Sequence, residues 1–201
     1  MRAGFWFALL LMTACASRPP LTVSYPEQWH AHARSALDWR DWELQGRVAL
    51  RMEDEGWHGG LYWRQQGDAY QIRISGPFGQ GGIRLDGERG RVRFQQGEHI
   101  TRATDAQALM QQELGWSLPL EGLDHWVRGV PRRPDQARLA FDAEGRLARL
   151  EEAGWVVDYQ GYGEDTVPPL PTRIALEHAG LRLRLVVDQW QRLAPAGAAD
   201  E

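Results

Sequence analysis

The sequence predicts a mainly β domain, a single antiparallel sheet that curls into a barrel or a sandwich and carries a few short helices. Three observations lead there. From Trp42 onward, apolar and polar residues alternate in short runs, and turn-rich clusters break those runs at even spacing. Only three segments show a helical period instead.

The chain opens with a different kind of segment. Arg2 supplies a positive charge ahead of the apolar run Phe5 to Met12, which has the length of a signal-peptide core. A transmembrane helix needs roughly 20 apolar residues, so this run is too short for one. Thr13 and Ala14 lead into Cys15, the only cysteine of the 201 residues. A lone cysteine in an exported chain has no internal disulfide partner. Met12-Thr13-Ala14-Cys15 resembles a bacterial lipobox, with Met12 where Leu is usual. Residues 1–14 are therefore expected to be a signal peptide, and Cys15 the acylated first residue of the mature chain. Residues 15–23, with Pro19 and Pro20, read as a tether. Stable anchoring by lipid takes more than one acyl chain, which a multiply acylated cysteine provides.

Residues 24–193 read as one domain. Ser24 with Glu27 suggests a capping box, followed by a helix through about Asp38 that turns Trp29, Ala33, Ala36 and Leu37 to one side. Strands follow. Leu44, Val48 and Leu50 alternate with Gln45, Arg47 and Arg51; Leu61 and Trp63 share a face; Ile72 and Ile74 alternate with Gln71 and Arg73. Shorter runs lie around Ile83 and Leu85, Val92 and Phe94, and His99 to Arg102. A second capping box at Thr104 to Gln107 opens a helix with Ala106, Leu109, Met110 and Leu114 as its stripe and Gly115 as its stop. Pro119 opens a third, through Trp126 and Val127. Strand patterns resume at 137–142, 146–152, 155–162, 172–178 and 181–190. The three-proline stretch from Gly163 to Pro171 is expected at the surface. The total is about eleven strands and three helices, with 194–201 as a tail.

Composition narrows the function. The net charge is −4 and falls further once Arg2 is lost, which does not suit nucleic acid or adsorption to anionic headgroups. His30 and His32 sit two apart on a helix and cannot share a metal, and the other four histidines lie on separate elements. There is no G-x-S-x-G elbow for a nucleophile, and Gly76 to Gly82 precedes a strand, whereas a phosphate loop opens a helix. Neither a catalytic site, a metal site nor a cofactor is expected.

The aromatic content points to an apolar ligand. Of ten tryptophans, all but Trp6 lie beyond the leader. Most should fill a core, yet a curled sheet of this size can enclose a cavity that helices close. Phe78, between Pro77 and Gly79, either protrudes from a loop as a contact point or folds back onto the sheet.

Several stretches then resemble one family. Gly46-Arg47-Val48-Ala49-Leu50, Trp57-His58-Gly59-Gly60-Leu61-Tyr62-Trp63 and Gly76-Pro77-Phe78-Gly79 look like successive motifs of the LolB outer-membrane lipoprotein receptors. So do 114–120, 126–131, 154–159 and 181–185 with Trp190. The resemblance spans about Trp39 to Trp190. It implies an open antiparallel β-barrel of eleven strands with a helical lid and an apolar cavity. It also implies receipt of lipoproteins from the periplasmic carrier LolA, binding of their acyl chains, and delivery to the outer membrane by a monomer. The apolar residue at Phe78, where Leu is familiar, is implied to protrude and assist insertion. Leu44, Val48, Leu50, Leu61, Trp63, Ile72, Ile74, Ile83 and Leu85 lie on the apolar faces from which acyl contacts are expected. A structural outer-membrane lipoprotein with a filled barrel and protein partners is the second reading, and a periplasmic hydrolase the third.

Overall fold

The computed structural model describes residues 26–53, 55–76 and 82–194. Eleven strands form one antiparallel sheet: β1 (Asp41–Met52), β2 (Glu55–Gln66), β3 (Ala69–Ser75), β4 (Ile83–Glu88), β5 (Arg91–Gln96), β6 (His99–Ala103), β7 (Arg138–Phe141), β8 (Leu147–Glu152), β9 (Trp155–Tyr162), β10 (Pro171–His178) and β11 (Leu181–Arg192). Their order is β6-β5-β4-β3-β2-β1-β11-β10-β9-β8-β7, and the edge strands β6 and β7 do not pair, so the barrel stays open.

The long strands β1, β2 and β11 form the spine. Their inward residues meet in register, Val48 opposite Leu185 and Leu50 opposite Leu183. Period-two alternation puts all of these on one face, and burying them excludes water from the concave side. Gly46 allows a tight crossing at a register shift between β1 and β11: a Cβ there would collide with the carbonyl of Val186. At the Asp41 end, Trp39, Trp42, Trp63 and Trp190 pack in a cluster with ring centroids 5.1–6.5 Å apart.

Three helices cross the concave face. α1 (Glu27–Leu37) starts with Pro26 at the cap position and no side-chain capping bond; Ser24, the expected cap, lies outside the described residues. Trp29 and Ala36 are buried as expected, but Leu37 is 42% exposed, because Trp39 carries the chain back into the core instead. α2 (Ala106–Leu114) is capped by Asp105, whose carboxylate accepts from the Ala108 amide at 2.8 Å, and not by Thr104. The acid one residue on reaches the free amides of the first turn. Gly115 ends the helix in the left-handed region, as its pattern suggested. α3 (Leu120–Trp126) follows Pro119. A short 3-10 turn at Pro134–Gln136 was not predicted. Within the 163–171 stretch, expected at the surface, Leu170 is fully buried while Val167 is exposed.

Candidate functional site

Between the sheet and the helices lies a cavity of about 70 Å³ whose lining side chains are all apolar. The concave face supplies its floor. Seven of the nine sequence-selected positions, Val48, Leu61, Trp63, Ile72, Ile74, Ile83 and Leu85, line it together. Leu44 and Leu50 do not: both are buried, Leu44 opposite Trp63 and Trp190, Leu50 opposite Trp57 and Leu183. Sequence reasoning missed Phe94, Leu183 and Leu185 in the floor, although they carry the same alternation and the same rule would have found them.

The roof was missed for a better reason. Met110 and Leu114 of α2, Trp116 and Leu118 of the connecting segment, and Leu120 and Leu123 of α3 close the cavity. A helical stripe states that one side is apolar but not which strands it covers. α2 is fastened to the sheet edge through Glu113, which meets His99 of β6 at 2.9 Å and Thr101 beside it, and otherwise by apolar packing. Thr101 and His99 together hold the Glu113 carboxyl below its ordinary value.

The C-terminal end of α3 is held quite differently. Arg128, 4% exposed, donates to the carbonyls of Ala36 and Trp39 at the end of α1 and pairs with Asp124 at 3.0 Å. Burial pushes the Arg128 guanidinium below its ordinary value and the Asp124 carboxyl above it, and their mutual attraction opposes both shifts. Glu152, 5% exposed, accepts from the Trp126 indole at 2.6 Å and from the backbone amides of Arg132 and Arg133. The Tyr159 hydroxyl donates to the Trp126 carbonyl at 2.8 Å, and full burial raises its pKa well above the ordinary value.

A second opening adjoins the cavity. This polar cleft of about 540 Å³ shares Trp63 and Leu120 with it and lies between the turns at Gly67–Asp68 and Arg89–Gly90, the start of α2 and the start of α3. Antiparallel pairing puts Ser75 and Ile83, the facing ends of β3 and β4, at the opposite end of these strands. Pro77, Phe78 and Gly79 lie outside the described residues, as does Cys15.

Histidines are dispersed: His125 Nδ1 lies 3.0 Å from the Glu121 carbonyl, and His178 bonds the Gly154 carbonyl and stacks on Trp155. Among the described residues no three His, Cys, Asp or Glu side chains gather to hold a metal. No described helix is long and apolar enough to cross a membrane.

Comparison with known proteins places these features. The family model for outer membrane lipoprotein LolB matches residues 40–190. An outer-membrane lipoprotein LolB from Stutzerimonas stutzeri is 38% identical over 188 residues, covering 92% of this chain and 91% of that protein. One from Chromohalobacter salexigens is 35% identical, covering 96% and 92%. A solved LolA superfamily structure from Nitrosomonas europaea superposes with a TM-score of 0.57 at 9% identity, over 83% of this chain and 94% of that one; the likeness is one of fold.

Proposed function

The chain belongs to the LolB family of outer-membrane lipoproteins, and from that premise we propose that it takes acylated lipoproteins from the periplasmic carrier LolA into its apolar cavity and places them in the outer membrane. The observation that carries this reading is the cavity, covered by helices and lined without a polar side chain. Such a site suits acyl chains and offers no group for a covalent step.

Size sets the mechanism. A volume of about 70 Å³ holds a few waters, each of which needs roughly 10–15 Å³ of cavity space. An acyl chain needs more room than that, and on this reading α2 and the 115–119 segment move off the sheet when cargo arrives. That motion breaks apolar packing and the Glu113 contacts, and the incoming chains restore the apolar contacts. The network around Arg128 and Glu152 stays in place as the pivot.

The energetics favour direct handover. Three chains of about 15 methylenes, at roughly 0.8 kcal/mol each, represent roughly 36 kcal/mol of burial, which forbids release into water. Cargo therefore passes from cavity to cavity, driven by differential affinity along the route.

On this reading residues 1–14 are a signal peptide, Cys15 carries the lipid that anchors the protein, 15–23 are a tether, 24–193 form the binding domain and 194–201 a tail. Phe78, with Pro77 and Gly79, is the point that enters the membrane. The test is to mix the full chain bearing Cys15→Ala with cargo-loaded carrier. Cargo should appear on the variant, which itself should fractionate as a soluble protein. Cargo that stays on the carrier refutes the receptor role, and a variant that remains in the membrane without a partner refutes the anchor.

A further inference from the structure

We propose that the polar cleft beside the apolar cavity is the binding site for the head group of the acylated cargo: the glyceryl ester carbonyls, the cysteine amide and the first peptide groups beyond it. The inference rests on the acyl-binding role of the cavity and extends it to the part of the ligand the cavity cannot hold.

The chains of a triacylated cysteine are joined to ester and amide groups within a few bonds. Burying such groups among apolar side chains without hydrogen bonds is strongly unfavourable. The cavity has no polar lining, so the head must leave it where the chains converge. The cleft meets the cavity at Trp63 and Leu120, has nearly eight times its volume, and is walled by donors and acceptors of both signs, among them Asp68, Arg89, Gln107, Glu121 and Arg132. Ion pairs Arg89–Asp68 and Arg132–Glu121 stand at its walls and are exposed, so they can exchange partners with a ligand at little cost.

Two details mark the junction as built. Trp63 donates from its indole nitrogen to Gln65 at 3.0 Å, and Gln65 donates on to the Gly67 carbonyl at 2.8 Å, which fixes the indole between cavity and cleft. Tyr70, in the cleft wall, has a hydroxyl sealed against Gly87 with no hydrogen-bond partner, an expensive condition that a small turn of the ring toward a ligand carbonyl in the cleft relieves. Its ring lies over Gly87, where a Cβ would collide with it. Burial raises the phenol to about 12, so it remains a donor for an ester or amide carbonyl throughout the physiological range.

The test compares two ligands on the full chain bearing Cys15→Ala: a synthetic triacylated cysteinyl tetrapeptide, and palmitate, which has chain but no such head. Gln107→Trp fills the cleft from an exposed helical position outside the cavity, and Tyr70→Phe removes the unpartnered hydroxyl. We expect lipopeptide affinity to fall at least about tenfold in the first and about threefold in the second. Palmitate affinity should stay within about twofold in both, with thermal unfolding recorded beside them to exclude misfolding. Equal losses for both ligands, or an unchanged lipopeptide affinity in the two variants, overturns the head-group site while leaving the cavity reading intact. Failure of the parent chain to bind either ligand overturns the cavity reading itself and this inference with it.

Discussion

The two halves of the sheet bury similar apolar side chains but are closed by different means. Across β7 to β10, α1 and the end of α3 are tied down by buried, directional bonds: Arg128 to Ala36, Trp39 and Asp124, Glu152 to Trp126 and two amides, Tyr159 to the Trp126 carbonyl. Across β2 to β6, α2 and its connection to α3 rest on apolar packing and on the contacts of one side chain, Glu113, with His99 and Thr101 at the sheet edge. The physical difference is reversibility. A buried polar group that loses its partner leaves an unsatisfied atom, whereas an apolar contact has no direction and an acyl chain replaces it without loss. On the proposed function, the same molecule combines a fixed support with a lid that an acyl guest displaces.

The harshest way to break this comparison is Arg128→Leu. It strands Asp124 and two carbonyls, and removal of one partner of a buried pair costs about 3–5 kcal/mol. Denaturant titration should show that loss, together with a melting point lower by roughly 10 °C. A cost below about 1 kcal/mol would mean that the support is not made by these bonds.

The cavity half should respond in the opposite sense. Ile74→Phe adds bulk where space exists, so stability should change by less than about 1 kcal/mol. Affinity for a fatty-acyl probe, read by tryptophan fluorescence, should nevertheless fall about tenfold as the guest loses room. A variant that unfolds while its acyl affinity is retained would show that this half is ordinary core.

A gentler probe uses pH. His32 of α1 is packed edge-on to Tyr162 with ring centroids 6.1 Å apart, and burial lowers its pKa from the usual 6.5. Between the lowered value and 6.5 the unfolded chain binds more protons, so this contribution holds above pH 6.5 and is lost as pH falls through the folded value. Melting temperature should decline from pH 7.5 to 5.5, and His32→Gln should flatten the decline. An identical slope in the variant would show that His32 does not titrate against folding.

The smallest effect on folding is expected at Phe78. If the residue enters lipid, as we propose, Phe78→Glu leaves melting and cargo capture nearly unchanged but impairs insertion into liposomes, since an apolar burial of about 1.5–3 kcal/mol is lost. Phe78→Leu retains insertion. Joint loss of stability and capture would make Phe78 part of the core instead.

Much of this architecture is written locally. Alternation at Leu61/Trp63, Ile72/Ile74 and Ile83/Leu85 identifies strands and their buried faces because a strand exposes its two sides in strict turn. Eleven strands and three helices follow from such patterns, and so do the stop at Gly115 and the start at Pro119. Caps were less secure, as Asp105 and Pro26 show, because neighbouring polar residues compete for one amide.

Only the tertiary structure decided which apolar residues face space. Leu44 and Ile74 have the same signature, yet Leu44 is enclosed between Trp63 and Trp190 while Ile74 borders the cavity. It also decided that Met110, Trp116 and Leu118 form the roof, and that Arg128 reaches across 92 residues to Ala36. The reason lies in what a pattern contains: periodicity specifies the direction of a side chain relative to its own backbone, and nothing about what the rest of the chain brings opposite it.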